Sequence, residues 1–294
     1  MSSTVVYKAE NAKPIPHNSR QYQNYPGASY ILPADDEEIE RLHFQHKLMK
    51  SIFNEKIFFL PFEHDAGYLV LDSGCGCGAW MLDVASQLSP STIIHGIDIE
   101  ARLFPLTRHP SLSFSITSIT ALPQTWTDRF DYINQRFLIA ALKRAEWSLA
   151  LDQMSRVLIS GGWVQITEVG IPVAGPVTEK HVALLDALFR RRDMILRISD
   201  ELPSLLERAN FANIRIEKSR VSLGEWAGQI GKDARDNFIG AFRGMKTPIL
   251  LAGGLGYVKT EQDYDEHIDA MEKEWDGTRG AELELFTFCA QMNK

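Results

Sequence analysis

Residues 71–80 read LDSGCGCGAW, with glycines at 74, 76 and 78 and cysteines at 75 and 77 between them. Two chemistries are open to such a stretch: thiolate ligation of a metal, or a glycine loop whose backbone approaches a nucleotide. A structural zinc site takes four ligands, usually from two separated pairs. The only other cysteine is Cys289, and no spacing among the eight histidines resembles a ligand pair. No metal is expected. Cys75 and Cys77 are also too close for an unstrained mutual disulfide, which fits a reduced protein in which cysteine serves as a small residue in a tight loop.

The loop follows the apolar run Tyr68–Leu71 and opens a helix, the context that makes a glycine motif informative. Gly74-x-Gly76-x-x-Ala79 satisfies the dinucleotide pattern, and Asp98 follows at the spacing of a ribose-binding carboxylate. Asp72 separates the readings. At the strand end it would repel a pyrophosphate and attract a ligand carrying an ammonium and a sulfonium. Gly78 adds a third point of close backbone approach.

Asp72, Gly74, Gly76, Gly78 and Asp98 together resemble the first two motifs of the class I S-adenosylmethionine-dependent methyltransferases. The resemblance implies that the loop, Cys75 included, cradles the methionyl and ribose parts. Asp98, with Ile99 beside it, would accept both ribose hydroxyls through its two oxygens. Ser118-Ile119-Thr120-Ala121-Leu122-Pro123 stands where such enzymes commonly carry an aspartate and then Leu-Pro, so Ser118 and Ile119 would meet the adenine. Phe130-Asp-Tyr-Ile-Asn-Gln-Arg136 is similar to the fourth-strand motif, whose following loop (Asn134, Gln135, Arg136) would border the transferable methyl. Tyr30-Ile-Leu-Pro33, Glu40-Arg-Leu42, Gln45-His46, Trp80 and Gly161-Gly-Trp163 are similar to the fungal secondary-metabolite methyltransferases, including their regulator-like group. There the N-terminal helix lies over the cofactor, and Tyr30 would bond the methionyl end.

These residues need elements to hold them. Pro33, Asp35 and Glu38 mark a helix start, with Asp35 and Glu38 as a capping pair, and Ile39, Leu42, Met49 and Phe53 recur at helical spacing. Short apolar runs at 68–71, 92–97, 112–117, 130–133 and 163–167 alternate with helices, as in a parallel sheet covered on both faces. A helix from about Arg144 to Leu158 should stop at Ser160-Gly-Gly162. Beyond it the pattern gives a long helix near 177–198, a short one near 202–209, a strand at 214–221, a mostly helical stretch to about 276 and a last apolar segment at 283–289. The expected fold is α/β: by resemblance, a Rossmann-like seven-stranded methyltransferase sheet with the last strand antiparallel, under a helical N-terminal and lid cap. The expected division is a cap at 1–62 and a methyltransferase domain at 63–294, with lid insertions at about 171–200 and 222–280.

The formal net charge of −7 argues against a nucleic-acid partner, which needs a positive surface. MSSTVVYKAENAK holds no signal-like apolar run, and no stretch is apolar enough to span a bilayer, so a cytoplasmic location is expected. The lid segments carry Phe189, Met194, Trp226, Phe238, Phe242, Met245 and Trp275, which could wall an apolar pocket for a flat small molecule. The expected reaction is in-line methyl transfer from S-adenosylmethionine, leaving S-adenosylhomocysteine. The acceptor would be an oxygen, in preference to a nitrogen, of a hydrophobic fungal metabolite, an indole alkaloid among the possibilities. Proximity can suffice for that chemistry. If a base is used, His181 on the stripe Val177, His181, Leu184, Leu188, Ile195 is the candidate; Glu168 is the alternative, and His46 is a structural or cofactor-side residue. Two other classes stay open: a methyltransferase-like regulatory or scaffold protein, and an enzyme using the bound sulfonium without transferring its methyl. The N-terminal or lid helices could also pair two chains into a homodimer.

Overall fold

The computed structural model describes residues 13–59, 67–106 and 109–294. Seven strands form one sheet: β1 (Leu69–Ser73), β2 (Ile93–Asp98), β3 (Leu112–Ile116), β4 (Phe130–Arg136), β5 (Leu158–Val169), β6 (Phe211–Ser222) and β7 (Glu282–Met292). Their order is β3-β2-β1-β4-β5-β7-β6. The first five run parallel, and β7 is antiparallel to both of its neighbours. This is the expected Rossmann-like sheet. The chain reverses its direction of travel across the sheet between β1 and β4, and in such sheets ligands bind beyond the carboxyl ends of the strands at that crevice.

Helices α2 (Ala79–Gln87), α3 (Arg144–Val157) and α5 (Ile198–Arg208) cover the sheet. Gly96 in β2 makes room for α2, because a Cβ there would stand 2.5 Å from the Met81 sulfur. The N-terminal helix α1 (Asp36–Ile52) packs on α6 (Gly228–Gly244), and α4 (Pro176–Arg191) and α6 both pack on α8 (Glu261–Gly277), with the short α7 (Lys246–Leu251) between. Among the described residues one apolar cluster runs from Ile31 and Leu48 through Leu71 to Leu184, Phe242 and Trp275, and a second gathers Val70, Trp80, Met81 and Ile94 between the sheet and α2. The expected boundary at 62/63 lies outside the described residues. No described helix is long and apolar enough to cross a membrane.

Three local expectations are corrected. Asp35 does cap α1, accepting from the Glu38 amide at 3.1 Å, but the Glu38 carboxylate turns to Arg41 at 2.6 Å instead of returning to the cap. Helix α3 ends at Val157, next to the expected Leu158, but Gly161-Gly162 do not make the stop: they lie inside β5, where the pairing with β4 shifts register. Gly161 has φ +76°, a conformation that an irregular strand reaches easily only with glycine. The stretch 177–198 is not one helix: α4 stops at Arg191, Asp193 takes φ 56°, and the Asp193 carbonyl accepts from the Arg144 amide at 2.7 Å. Pairing with the start of α3 therefore ends the helix, and Ile195 leaves the stripe that also carries His181.

Candidate active site

A cavity of about 450 Å³ opens beyond the ends of β1, β2 and β4. Gly74 and Gly76 of the glycine loop lie on its floor, and with Gly78 they take φ of +66°, +50° and +69°. Each is a left-handed conformation that a Cβ disfavours, and a Cβ on Gly74 would also stand 2.7 Å from Leu138 Cδ2. The Gly76 amide donates to Asp98 Oδ2 at 2.9 Å, and the Glu100 amide to Oδ1 at 3.0 Å. These bonds fix the carboxylate on the cavity wall with further lone pairs free. Burial pushes the Asp98 carboxyl above its ordinary value, against the pull of those amides.

The cavity brings together Tyr30, Gly74, Gly76, Asp98, Ile99, Ser118 and Ile119 of the expected set. Ser118 also caps the short turn at Ile119–Ala121, its hydroxyl lying 2.8 Å from that of Thr120. Leu42, Phe238, Phe242 and Met245 close the cavity from the helical side.

Asp72, Cys75, Gly78, Asn134 and Gln135 do not line it. Asp72 is 3% exposed and accepts from Asn134 Nδ2 at 2.7 Å. Burial lifts its carboxyl to about 7, opposed by the Arg136 guanidinium and by that hydrogen bond. The Cys75 side chain joins the apolar cluster of Trp80, Met81 and Ile94, and burial raises its thiol well above the ordinary value. Gly78 faces Phe114 and Pro105, either of which a Cβ would approach to 3.2 Å, so its glycine serves packing and φ. Asn134 and Gln135 were expected in a loop. β4 continues through Arg136, and the turn begins only at Phe137, with φ 58°. Gln135 accepts from Ser73 Oγ at 3.2 Å, while its own amide nitrogen is buried without a partner.

The candidate bases lie elsewhere. His181 does not line the cavity: it is fully buried behind Phe242, at 4.4 Å between ring centroids, with neither ring nitrogen hydrogen-bonded. Burial, with His267 adding to it, pushes its pKa down to about 3. The Glu168 carboxylate accepts from the Leu138 and Ile139 amides at 2.9 and 3.3 Å, holding the turn after β4. Burial lifts it to about 8. Removing two unpaired polar atoms from an apolar site is close to neutral, so His181→Leu should leave methyl transfer within about threefold of wild type and the melting temperature unchanged or higher. A loss of turnover at constant stability would restore a chemical role.

Arg41 was missed among the cavity-lining residues; α1 places it there with Leu42 and Gln45. Its guanidinium is held by Glu38 and by Asn237 Oδ1 at 3.2 Å. The run Glu40-Arg-Leu42 carried the signal, since residues three and four apart share a helix face, but the face could not be oriented without α6.

The pieces fit an adenosyl ligand: a glycine cradle that side chains would fill, a carboxylate fixed at ribose spacing, and apolar walls ending in a hydroxyl. Comparison with known proteins agrees. Residues 70–162 match the family model described as a methyltransferase domain. The chain is 30% identical over 247 residues to the N-methyltransferase verN of Clonostachys rogersoniana, covering 79% of this chain and 83% of that protein.

The chain belongs to the class I S-adenosylmethionine-dependent methyltransferases.

S-adenosylmethionine is accordingly the cofactor of this methyltransferase. It is also 33% identical over 159 residues to the N-methyltransferase gliN of Aspergillus fumigatus, covering 53% of this chain and 56% of that one. Among solved structures, a phosphoethanolamine N-methyltransferase of Haemonchus contortus, in complex with phosphomonomethylethanolamine and S-adenosylhomocysteine, shares the fold. That match has a TM-score of 0.52 at 15% identity, over 88% of this chain and 57% of that one. Among the described residues, no group of three or more His, Cys, Asp and Glu could hold a metal ion.

Proposed function

We propose that this methyltransferase transfers the methyl group to a nitrogen of a hydrophobic small molecule of fungal secondary metabolism. The observation that carries the reading is the single cavity joining Gly74, Gly76 and Asp98 to Phe238, Phe242 and Met245. Cofactor and acceptor would share one largely apolar space. The sequence favoured oxygen over nitrogen as the acceptor atom. The names of verN and gliN move the preference to nitrogen.

When bound, S-adenosylmethionine supplies an electrophilic methyl on a sulfonium. The protein's part is to hold, align and keep dry. Asp98 would take the ribose hydroxyls, Ser118 and Ile119 the adenine, and the amino-acid end would lie along the loop near Tyr30 and Asp72. Phe242 and Met245 would press the acceptor toward that end and exclude water. The titratable groups on the described cavity wall are Tyr25, Tyr30, Arg41, Asp98, Arg136 and Glu146, with no histidine among them. Arg41 is committed to Glu38, and burial raises the Tyr30 hydroxyl above its ordinary value. This suits a neutral nitrogen attacking with its own lone pair and losing its proton afterwards.

The test is to incubate the protein with trideuteromethyl S-adenosylmethionine and extracts of fungal cultures. The expected product gains one labelled methyl, located on nitrogen by nuclear magnetic resonance. A labelled methyl on oxygen would overturn the nitrogen assignment. A cofactor bound but never consumed would favour a scaffold or a non-methylating enzyme.

A further inference from the structure

Arg136 ends β4, two residues beyond the Asn134 that pairs with Asp72 across the β1–β4 ladder. Its side chain lines the cavity alongside Gly74, Gly76 and Gln45. Among the described residues its only hydrogen bond runs from Nη1 to His46 Nδ1, at 3.2 Å. A guanidinium carries five N–H donors, and none of its nitrogens is sealed off in the interior without a partner. Arg136 also borders a smaller pocket beside His46, Lys50 and Gln165, so its remaining donors face these two openings.

What holds the guanidinium there is equally specific. Arginine can only donate, so His46 Nδ1 must accept and its proton must sit on Nε2. Nε2 lies 3.1 Å from Asp83 Oδ2, which completes the tautomer. Asp83 is in turn held by Lys50 at 2.9 Å and by Gln87 at 3.2 Å. Burial first, and the Arg136 charge second, keep the imidazole neutral by lowering its pKa to about 4. Helices α1 and α2 thus hold one cation between the cavity and that smaller pocket, on the side of the glycine loop. The apolar lid residues lie on another wall.

A buried guanidinium with open donors calls for an anion, and a carboxylate matches its planar fork. Asp72, buried beneath the same loop and off the cavity wall, adds a negative charge behind it that favours a cation nearby. An α-amino acid carries both charges on one carbon. We propose that Arg136 binds the carboxylate of the cofactor's amino-acid end, with His46 and Asp83 as its positioning residues and the buried Asp72 favouring the ammonium only through its charge. The inference rests on S-adenosylmethionine occupying this cavity. It assigns Arg136 a task other than bordering the methyl group, and it makes the site selective against a sulfonium that lacks the carboxylate.

Calorimetric titration with S-adenosylmethionine and with decarboxylated S-adenosylmethionine tests it. Wild type should prefer the intact cofactor by about 30-fold, the scale of a charge-assisted bond. Arg136→Met should abolish that preference while still binding the decarboxylated ligand, which also shows that the variant is folded. Arg136→Lys should keep part of the preference, and His46→Ala should reduce it, a ratio that a merely structural role would not move. An undiminished preference in Arg136→Met overturns the inference, and so does an equal loss of both ligands. If Arg136→Met kept the preference and raised only the acceptor's KM, the anion would belong to the acceptor and the assignment would fall. Binding of neither ligand by wild type would defeat the cofactor site itself, a result separable from the others.

Discussion

Asp98→Ala should weaken binding of S-adenosylhomocysteine by roughly 100- to 1,000-fold, because two hydrogen bonds from ribose hydroxyls to an ionised acceptor are lost together. The geometry supports an effect of that size. Asp98 lies on the cavity wall, each carboxylate oxygen is already fixed by one backbone amide, and no search among rotamers is needed when the ligand arrives. Asp98→Asn keeps one acceptor oxygen and replaces the other with a donor, so a loss of about tenfold is expected. Calorimetry measures both, and a thermal melt without ligand separates lost binding from lost folding. An unchanged dissociation constant in Asp98→Ala would remove the carboxylate from the ribose site.

The second large effect is on pH dependence, through Asp72. Its carboxyl titrates at about 7 in the folded protein against an ordinary 3.8, with burial the leading cause. A raised carboxyl pKa means that the folded chain holds the proton longer than the unfolded chain. This group's contribution to stability is therefore greatest below about 3.8 and declines as pH rises through about 7. Cofactor binding runs the other way, because an ammonium and a sulfonium favour the ionised carboxylate. The dissociation constant for S-adenosylmethionine should fall by about tenfold between pH 6 and pH 8, one pKa unit of unfavourable deprotonation being relieved. Asp72→Asn should flatten that profile, bind at least about tenfold more weakly at pH 8, and be more stable than wild type at that pH without ligand. The groups that set the field are Arg136, Asp98 and the Asn134 amide. A flat wild-type profile would place the amino-acid end away from Asp72.

Much of the scaffold was legible because the signals are local. A buried parallel strand is a continuous apolar run, and Leu69–Leu71 shows it. The glycine loop declares itself through alternate glycines after such a run. What the sequence could not show is which way side chains point once β4 is longer than its apolar stretch. Asn134 and Gln135 look like loop residues because they are polar, yet they are strand residues bonded to Asp72 and Ser73. Cys75 and Gly78 fail for a related reason: a loop motif gives proximity to a ligand, whereas the packing of Met81, Phe114 and Pro105 decides which atoms face it. His181 lies on an apolar stripe as expected, but the neighbours of that stripe are Phe242 and His267, contacts between distant parts of the chain. Arg41 and Arg136 have the opposite history. Both stand in quoted motifs, and only the arrival of α6 and α1 distinguishes the arginine that is paired from the arginine with donors to spare.

The most direct test of the whole account is a crystal structure of the protein with S-adenosylhomocysteine. The ribose is expected on Asp98, the adenine beside Ser118 and Ile119, and the sulfur facing an open space walled by Phe242 and Met245 where an acceptor nitrogen would stand. A nucleoside bound elsewhere, or one that fills the aromatic end and leaves no room for an acceptor, would contradict it.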